Sequence, residues 1–186
     1  MPEQHKILFT GTMGAGKTTA IKSVSAVKMV TTEAANTDMG LFAKATTTVG
    51  LDYGEVTLPD GSVLRLYGTP GQGRFEFMWK IVARGALGVV ILVDNSRPDP
   101  IADMNMYLDN FRRFADAGAV VIGVGRSDTH PTPRIEDFCD DIASKGWALP
   151  VVEADARRGE DVLMLLDTLF NSLELAENQV QEEAVS

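Results

Sequence analysis

The nine residues that decide the fold are Gly11, Thr12, Met13, Gly14, Ala15, Gly16, Lys17, Thr18 and Thr19. The first eight match the pattern G-x-x-x-x-G-K-[ST], in which backbone N–H groups wrap around a phosphate chain. The three glycines carry no Cβ, so they allow the tight turn that such a wrap requires. The pattern assigns Lys17 to the β- and γ-phosphates and the Thr18 hydroxyl to Mg²⁺. The stretch therefore predicts a phosphate-binding loop.

The flanking residues support this interpretation. Residues 6–10 read as a short buried strand, and residues 18–26 read as a helix with Ile21 and Val24 on one face. The N-terminus of that helix would direct its partial positive charge at a bound anion. A flexible glycine turn is the alternative, and it leaves the strand–loop–helix order unexplained.

Composition narrows the class of protein. The chain has 186 residues, of which 45% are hydrophobic and 23% charged, as expected for one soluble globular domain. The net charge of −9 argues against a nucleic-acid partner. No secretory, membrane-spanning or lipidation signal is evident, so we expect no membrane insertion and a cytoplasmic location. Cys139 is expected in the core, and the isolated His5 and His130 do not predict a zinc site.

Alternating strand and helix patterns predict an α/β fold. Residues 51–58 and 63–67 form an expected antiparallel pair around the turn 59–62, and residues 88–94 read as a fully buried strand. Further strands are expected at 119–124 and 151–154, helices at 74–83, 101–117, 135–145 and 160–175, and a loop at 29–48. The pattern predicts a three-layer fold with a mostly parallel six-stranded sheet, one antiparallel strand and about five helices. A single domain would span residues 1–175, followed by a disordered acidic tail at 176–186.

Two further stretches carry a family resemblance. Residues 46–54 read T-T-T-V-G-L-D-Y-G, and residues 66–72 read L-Y-G-T-P-G-Q. Together with the phosphate loop, they make the sequence resemble the Ras-like small GTPases, and within them a bacterial branch related to the gliding-polarity GTPases. The resemblance extends to about Leu175 and implies a Ras-like G domain with a P-loop NTPase fold. It also implies a switch that binds GTP, GDP and Mg²⁺, with a roadblock-type regulator or GTPase activator and an effector as partners.

The resemblance implies roles for the two switch segments. Thr48 would contact Mg²⁺ and the γ-phosphate, with Thr46 and Thr47 as alternatives one or two residues away. The second switch normally reads D-x-x-G-Q, but here Gly68 stands where the aspartate belongs. Three outcomes are open: Mg²⁺ binds more weakly, Asp94 replaces that carboxylate, or a water molecule replaces it. The Gly71 N–H would still reach the γ-phosphate.

The same resemblance implies the catalytic residues. Gln72 would orient the attacking water, Lys17 would neutralise phosphate charge, and Arg74 is a candidate internal arginine finger. Met13 would crowd the space that the glutamine and an inserted arginine need, so we expect slow hydrolysis. The apolar residues Phe75, Phe77, Met78 and Trp79 are expected to be exposed and to form a partner-binding face, although Trp79, like Trp147, is also interpreted as a packing residue.

Base recognition is implied by two short motifs. The family motif N-K-x-D aligns with residues 125–128, where Asp128 would accept hydrogen bonds from guanine N1–H and N2–H₂ and Arg126 would lie over the base. Gly125 lacks the asparagine side chain that braces the phosphate loop. The motif S-A-K is echoed by residues 155–157, so the Ala156 N–H would contact guanine O6 and Arg157 would flank it.

Two other functions stay open at this point. A nucleotide-binding scaffold without hydrolysis is motivated by Met13, Gly68 and Gly125. An adenine-specific P-loop ATPase or kinase is the third possibility, although the sequence has no arginine-rich lid and Thr69-Pro70-Gly71-Gln72 is foreign to kinases.

Overall fold

The computed structural model describes residues 4–26, 30–31, 51–71 and 76–185. These residues form an α/β fold in three layers, with a twisted sheet between two layers of helices. The predicted fold class is confirmed, since this is the architecture of a P-loop NTPase. The first-switch threonines 46–48 and residues 72–75, which include Gln72, Arg74 and Phe75, lie outside the described residues.

The strands are β1 (Gln4–Gly11), β2 (Val30–Thr31), β3 (Asp52–Thr57), β4 (Val63–Gly68), β5 (Gly88–Asp94), β6 (Val120–Gly125) and β7 (Val151–Glu153). The helices are α1 (Lys17–Val24), α2 (Glu76–Val82), α3 (Pro100–Asn110), α4 (Arg112–Asp116), α5 (Ile135–Ser144) and α6 (Gly159–Val185). Six longer strands match the predicted set, and the two-residue strand β2 falls in the predicted loop.

The sheet order is β2-β3-β4-β1-β5-β6-β7 within the described part of the chain. Strand β3 is antiparallel to both neighbours, and the other pairs from β4 to β7 are parallel. The carboxyl ends of β1, β4, β5 and β6 therefore lie at one edge of the sheet. This is the edge where open α/β sheets bind ligands, and the amino end of β3 joins it.

Two apolar cores cover the faces of the sheet. Strand β5 shows the division, because Val89, Ile91 and Val93 face helices α2 to α5 while Val90 and Leu92 face α1 and α6. All seven residues of β5 are buried, as the continuous apolar run predicts. The turn at 59–62 also forms as predicted, with the Leu58 N–H donating to the Ser62 carbonyl at 2.9 Å.

Some predicted elements differ from the structure. The single helix expected at 101–117 is two helices, because the chain leaves helical geometry at Phe111, whose φ is −107° and ψ is 26°. Helix α6 continues to Val185, so its backbone is helical through most of the tail for which disorder was predicted. Alanine, glutamate and glutamine are good helix formers, which explains why the helix continues. Cys139 is exposed rather than buried, since it follows the inward-facing Phe138 on α5. In the described residues, no helix combines the length and apolarity needed to cross a bilayer.

Candidate nucleotide-binding site

The phosphate loop connects β1 to α1 through residues with unusual backbone angles. Gly11, Gly14 and Gly16 have φ values of 143°, 85° and 98°. A Cβ on Gly11 would lie 2.2 Å from the Leu92 carbonyl oxygen of β5, so the loop packs directly on the neighbouring strand. Gly16 takes the left-handed conformation at the N-terminus of α1. The glycine spacing therefore serves the loop geometry that the pattern predicts.

Lys17 lies at the centre of this loop. Its Nζ donates to the carbonyls of Gly11 at 2.6 Å and Thr12 at 2.8 Å, and the residue is buried. Burial lowers the pKa of Lys17 to about 8, with an opposing contribution from the Asp52 carboxylate. An anion beside the ammonium would offset this desolvation, so the environment favours a bound phosphate.

The loop has a second group suited to a phosphate. The Thr12 hydroxyl is buried and makes no hydrogen bond to any residue in the described ranges. A buried hydroxyl without a partner carries a desolvation cost, which a phosphate oxygen at this position would remove. Together with Lys17 and the helix N-terminus, this residue makes the loop fit a polyphosphate.

The Thr18 side chain is held by a carboxylate that sequence reasoning missed. Thr18 Oγ1 donates to Asp52 Oδ2 at 2.5 Å. Asp52 is the first residue of β3 and pairs in register with Gly68, the last residue of β4. Asp94, one of the predicted substitutes for the missing aspartate, bonds other residues. Its Oδ2 lies 2.9 Å from Nη1 of Arg126, and its Oδ1 accepts from Ser96. Asp52 rather than Asp94 therefore bonds Thr18 in the structure, and replacement of the missing aspartate by Asp94 or a water stays a prediction.

Arg126 connects the base motif to the phosphate loop. Its backbone has a positive φ of 64°, its Nη1 pairs with Asp94, and its Nη2 lies 3.4 Å from the Gly14 carbonyl oxygen. This guanidinium thus contacts the loop that an asparagine at position 125 was expected to brace. Arg126 also borders the ligand cleft.

A cleft of about 720 Å³ brings the predicted binding segments together. It is lined by Gly14, Ala15, Gly16 and Thr19 of the phosphate loop, and by residues 123–129 and 153–158. Asp128, Ala156 and Arg157 all border it. Three segments that are far apart in sequence therefore share one cleft, as the fold requires of loops at the carboxyl ends of β1, β6 and β7.

Asp155 orders the loop that carries Ala156. Its carboxylate accepts from the Arg157 backbone N–H and from the Arg157 guanidinium, with a shortest distance of 2.6 Å. The Arg157 guanidinium lowers the pKa of Asp155 to about 2. The Asp155 N–H in turn donates to Asp161 of α6 at 2.9 Å. These contacts fix the loop, and a Cβ on Gly16 would lie 2.8 Å from the Ala156 Cβ, so the loop abuts the phosphate loop.

Asn95 holds the loop that follows β6 and contains Asp128. It is buried at the end of β5, and its Nδ2 donates to the carbonyls of His130 at 2.6 Å and Pro133 at 2.9 Å. These two bonds hold the segment that follows Asp128. Sequence reasoning missed this residue, although a lone asparagine after a buried strand at the ligand edge is a usable signal.

We expect Asn95→Ala to destabilise the protein by about 1–3 kcal/mol, because two carbonyls lose a buried donor. Urea unfolding measures this change in free energy. Asn110→Ala is the matched control, since Asn110 donates to the Met106 carbonyl on an exposed helix surface, and its effect should stay within about 0.5 kcal/mol. Equal effects of the two variants would contradict the role given to Asn95.

The start of the second switch packs against the phosphate loop. A Cβ on Gly71 would lie 2.6 Å from the Met13 backbone N and 2.7 Å from Lys17 Nζ, so a side chain larger than hydrogen does not fit there. Of the apolar residues expected on a partner face, Phe77 is 61% exposed but Met78 and Trp79 are buried. Trp79 packs on Tyr107 of α3 and donates from Nε1 to the Pro70 carbonyl at 2.9 Å. The expectation of exposure is therefore wrong for Met78 and Trp79.

The amino-acid sequence is similar to Ras-related proteins over most of its length. The chain is 25% identical over 189 residues to the Ras-related protein Rab-27A of Rattus norvegicus, covering 91% of this chain and 80% of that protein. It is 23% identical over 181 residues to the Ras-related protein RabC of Dictyostelium discoideum, covering 91% and 84%. Each of these similarities covers 91% of this chain, and both relatives are Ras-related proteins.

A family model described as "Conserved hypothetical ATP binding protein" matches residues 25–111. The match starts after the phosphate loop and ends before Asp128 and Ala156. It therefore covers the second switch and the centre of the sheet, and leaves out the segments that border the base end of the cleft. The relatives are thus Ras-related proteins, and the family model is described as ATP-binding.

Proposed function

We propose that this protein is a guanine-nucleotide-binding switch that hydrolyses GTP slowly in the presence of Mg²⁺. The observation that carries the proposal is the shared cleft, in which the phosphate loop meets the loops of Asp128 and Ala156. The phosphate loop lines one end of the cleft through Gly14, Ala15 and Gly16, and Asp128 lines the other. Lys17 and Thr12 of the same loop would supply phosphate-binding groups, and the Asp128 carboxylate would supply an acceptor for the base. The similarity to Ras-related proteins supports the same function.

Guanine is favoured over adenine by the chemistry of Asp128. A carboxylate accepts two hydrogen bonds side by side, which guanine donates from N1–H and N2–H₂. Adenine has no hydrogen on N1, so it leaves part of the carboxylate unpaired. The Ala156 N–H would in turn donate to guanine O6, where adenine carries an amino group that cannot accept.

Mg²⁺ would be held by Thr18 together with phosphate oxygens, and Thr48 is the proposed ligand from the first switch. The ion supplies charge neutralisation on the β- and γ-phosphates. Gln72 is proposed to orient the attacking water, with Lys17 and Arg74 stabilising the charge that develops on the phosphoryl oxygens. Met13, whose side chain is 67% exposed at the loop, is expected to hinder these groups and keep intrinsic turnover slow.

Regulation follows from the same proposal. The second switch is proposed to change with the γ-phosphate and to present an effector or regulator surface that includes Phe77. The sequence motifs suggest the bacterial branch related to the gliding-polarity GTPases, and hence a roadblock-type partner that stimulates hydrolysis in the cytoplasm. A single-turnover assay with and without such a partner tests this part. No turnover in either condition would favour the scaffold without hydrolysis.

We expect Gly71→Ala to separate binding of the triphosphate from binding of the diphosphate. The added Cβ would meet Met13 and Lys17, so the Gly71 N–H could not approach a γ-phosphate. Affinity for a non-hydrolysable GTP analogue should fall by about 10-fold more than GDP affinity, as for loss of one charge-assisted hydrogen bond that only the triphosphate makes. Fluorescence titration of both nucleotides measures the ratio. An equal loss for the two nucleotides would contradict the assignment of Gly71 to the γ-phosphate.

An ATP-binding protein is the second candidate, because the matching family model carries that description. The two candidates differ in which purine binds at the Asp128 end of the cleft. Displacement of a fluorescent GDP by unlabelled GTP and ATP distinguishes them. We expect GTP to displace the probe at a concentration at least about 100-fold lower than ATP, the loss expected when buried polar groups stay unpaired. A preference for ATP would overturn the guanine assignment.

A further inference from the structure

The second switch has Gly68 where the family pattern has an aspartate, and a residue of the neighbouring strand occupies the space that this aspartate would fill. Strand β3 runs antiparallel to β4, so the first residue of β3, Asp52, pairs with the last residue of β4, Gly68. Residues paired in this way point their side chains to the same face of the sheet. A Cβ on Gly68 would lie 3.0 Å from the Asp52 Cβ and 3.1 Å from its Oδ2. The Asp52 side chain therefore lies where an aspartate at position 68 would project.

The Asp52 carboxylate also faces the residue that the phosphate-loop motif assigns to Mg²⁺. Thr18 Oγ1 donates to Asp52 Oδ2 at 2.5 Å, which orients the hydroxyl oxygen and leaves its lone pairs available to a cation. Asp52 is half-buried, and its negative charge opposes the lowering of the Lys17 pKa. The carboxylate, the hydroxyl and the ammonium thus lie together at the mouth of the phosphate loop.

We propose that Asp52 is the carboxylate of the Mg²⁺ site, supplied from β3 in place of the residue lost at position 68. This inference depends on the proposed binding of a nucleotide with Mg²⁺. Magnesium sites of nucleotide enzymes need only one or two carboxylates, since phosphates and water complete the coordination. In keeping with such a sparse site, the described residues contain no group of three or more His, Cys, Asp or Glu side chains suited to a metal. Gly68 suits this arrangement, because a Cβ there would lie 3.0 Å from the Asp52 Cβ and would push that side chain aside by a few tenths of an ångström.

Release of a fluorescent GDP at a series of free Mg²⁺ concentrations, and in excess EDTA, tests the assignment. For Asp52→Asn, we expect the half-saturating Mg²⁺ concentration to rise on the order of 10–100-fold, as for loss of a group that orients a metal ligand. In EDTA, the release rate of the variant should equal that of the wild-type protein. Glu55→Gln is the matched control on the same strand, where Glu55 accepts from Tyr53, and it should retain the wild-type Mg²⁺ requirement.

Two results would overturn the assignment. One is an Asp52→Asn protein with the wild-type Mg²⁺ requirement. The other is a variant that releases GDP faster by the same factor in EDTA and in Mg²⁺, which indicates a structural role. Failure of the wild-type protein to bind GDP would instead overturn the proposed function, so the two failures are distinguishable.

The double variant D52G/G68D tests the relocation directly. It moves the carboxylate from β3 back to β4 and removes the side chain that would clash with it. We expect its Mg²⁺ requirement to return toward the wild-type value. A folded double variant with the same requirement as Asp52→Asn would contradict the relocation.

Discussion

Lys17→Ala is expected to abolish measurable nucleotide binding. The buried Lys17 Nζ is 2.6 Å from the Gly11 carbonyl oxygen and 2.8 Å from that of Thr12, so it is fixed at the centre of the loop where phosphates bind. Charge-assisted hydrogen bonds contribute about 1.5–3 kcal/mol each, so loss of two to the phosphate oxygens of GDP lowers affinity by roughly 100-fold to 10,000-fold. Titration of a fluorescent GDP measures the loss.

Lys22→Ala is the matched control for this variant. Lys22 lies on the same helix, in its last turn, and is exposed. It removes the same charge from α1 and should leave GDP affinity within about twofold, as for a surface charge. Circular dichroism of both variants without nucleotide checks that they fold. Micromolar GDP affinity in a folded Lys17→Ala protein would contradict the phosphate-loop model.

Asp128→Asn is expected to exchange guanine for xanthine as the preferred base. The asparagine oxygen still accepts from N1–H, but its amide donates a hydrogen bond, which suits the C2 carbonyl of xanthine and opposes the N2–H₂ of guanine. A site with mismatched buried polar groups discriminates by several orders of magnitude in favourable cases. We expect GDP affinity to fall at least about 100-fold, while XDP affinity rises above that of GDP.

The measurement for Asp128→Asn is competition of GDP and XDP against one fluorescent probe. Asp140→Asn is the control. It removes an equivalent negative charge from the exposed side of helix α5 and should leave the ratio of GDP to XDP affinity unchanged. An unchanged guanine preference in Asp128→Asn would show that another residue recognises the base.

The phosphate loop was predictable because its geometry is local. Gly11, Gly16 and Lys17 act within one turn of chain, and their spacing alone specifies backbone angles and side-chain direction. The buried strand β5 was predictable for a similar reason, since its continuous apolar run has a single favourable environment. Local features of this kind can be predicted without the positions of other segments of the chain.

Asp52 was missed because its role depends on pairing between strands. The turn at residues 59–62 was predicted, and Thr57 pairs with Val63 beside it. Counting outward from that pair places Asp52 opposite Gly68, so the hairpin register predicts that these two residues are paired. The alternatives predicted from the sequence were weaker Mg²⁺ binding, Asp94 or a water, and Asp52 was not among them. The register of a hairpin decides which side chains share a face of the sheet, and a motif pattern along one strand does not specify that register.

The helical segments show where tertiary contacts overrule local pattern. Trp79 was predicted both on an exposed partner face and as a packing residue, and in the structure its ring packs on Tyr107 and Phe111 at centroid distances of 4.8 and 6.2 Å. Its hydrogen bond to the Pro70 carbonyl satisfies the indole N–H within the core. A large aromatic ring contributes so much apolar area that its position depends on the facing helix, which sequence periodicity alone does not reveal.

The central claim is that the cleft between the phosphate loop and the loops of Asp128 and Ala156 binds a guanine nucleotide. The most direct test incubates the purified protein with equal concentrations of GTP and ATP in Mg²⁺, removes free nucleotide, denatures the protein and identifies what it retained by chromatography. The account predicts guanine nucleotide, as GTP or as its product GDP, with adenine nucleotide near background. Retention of adenine nucleotide in equal or greater amount would contradict it.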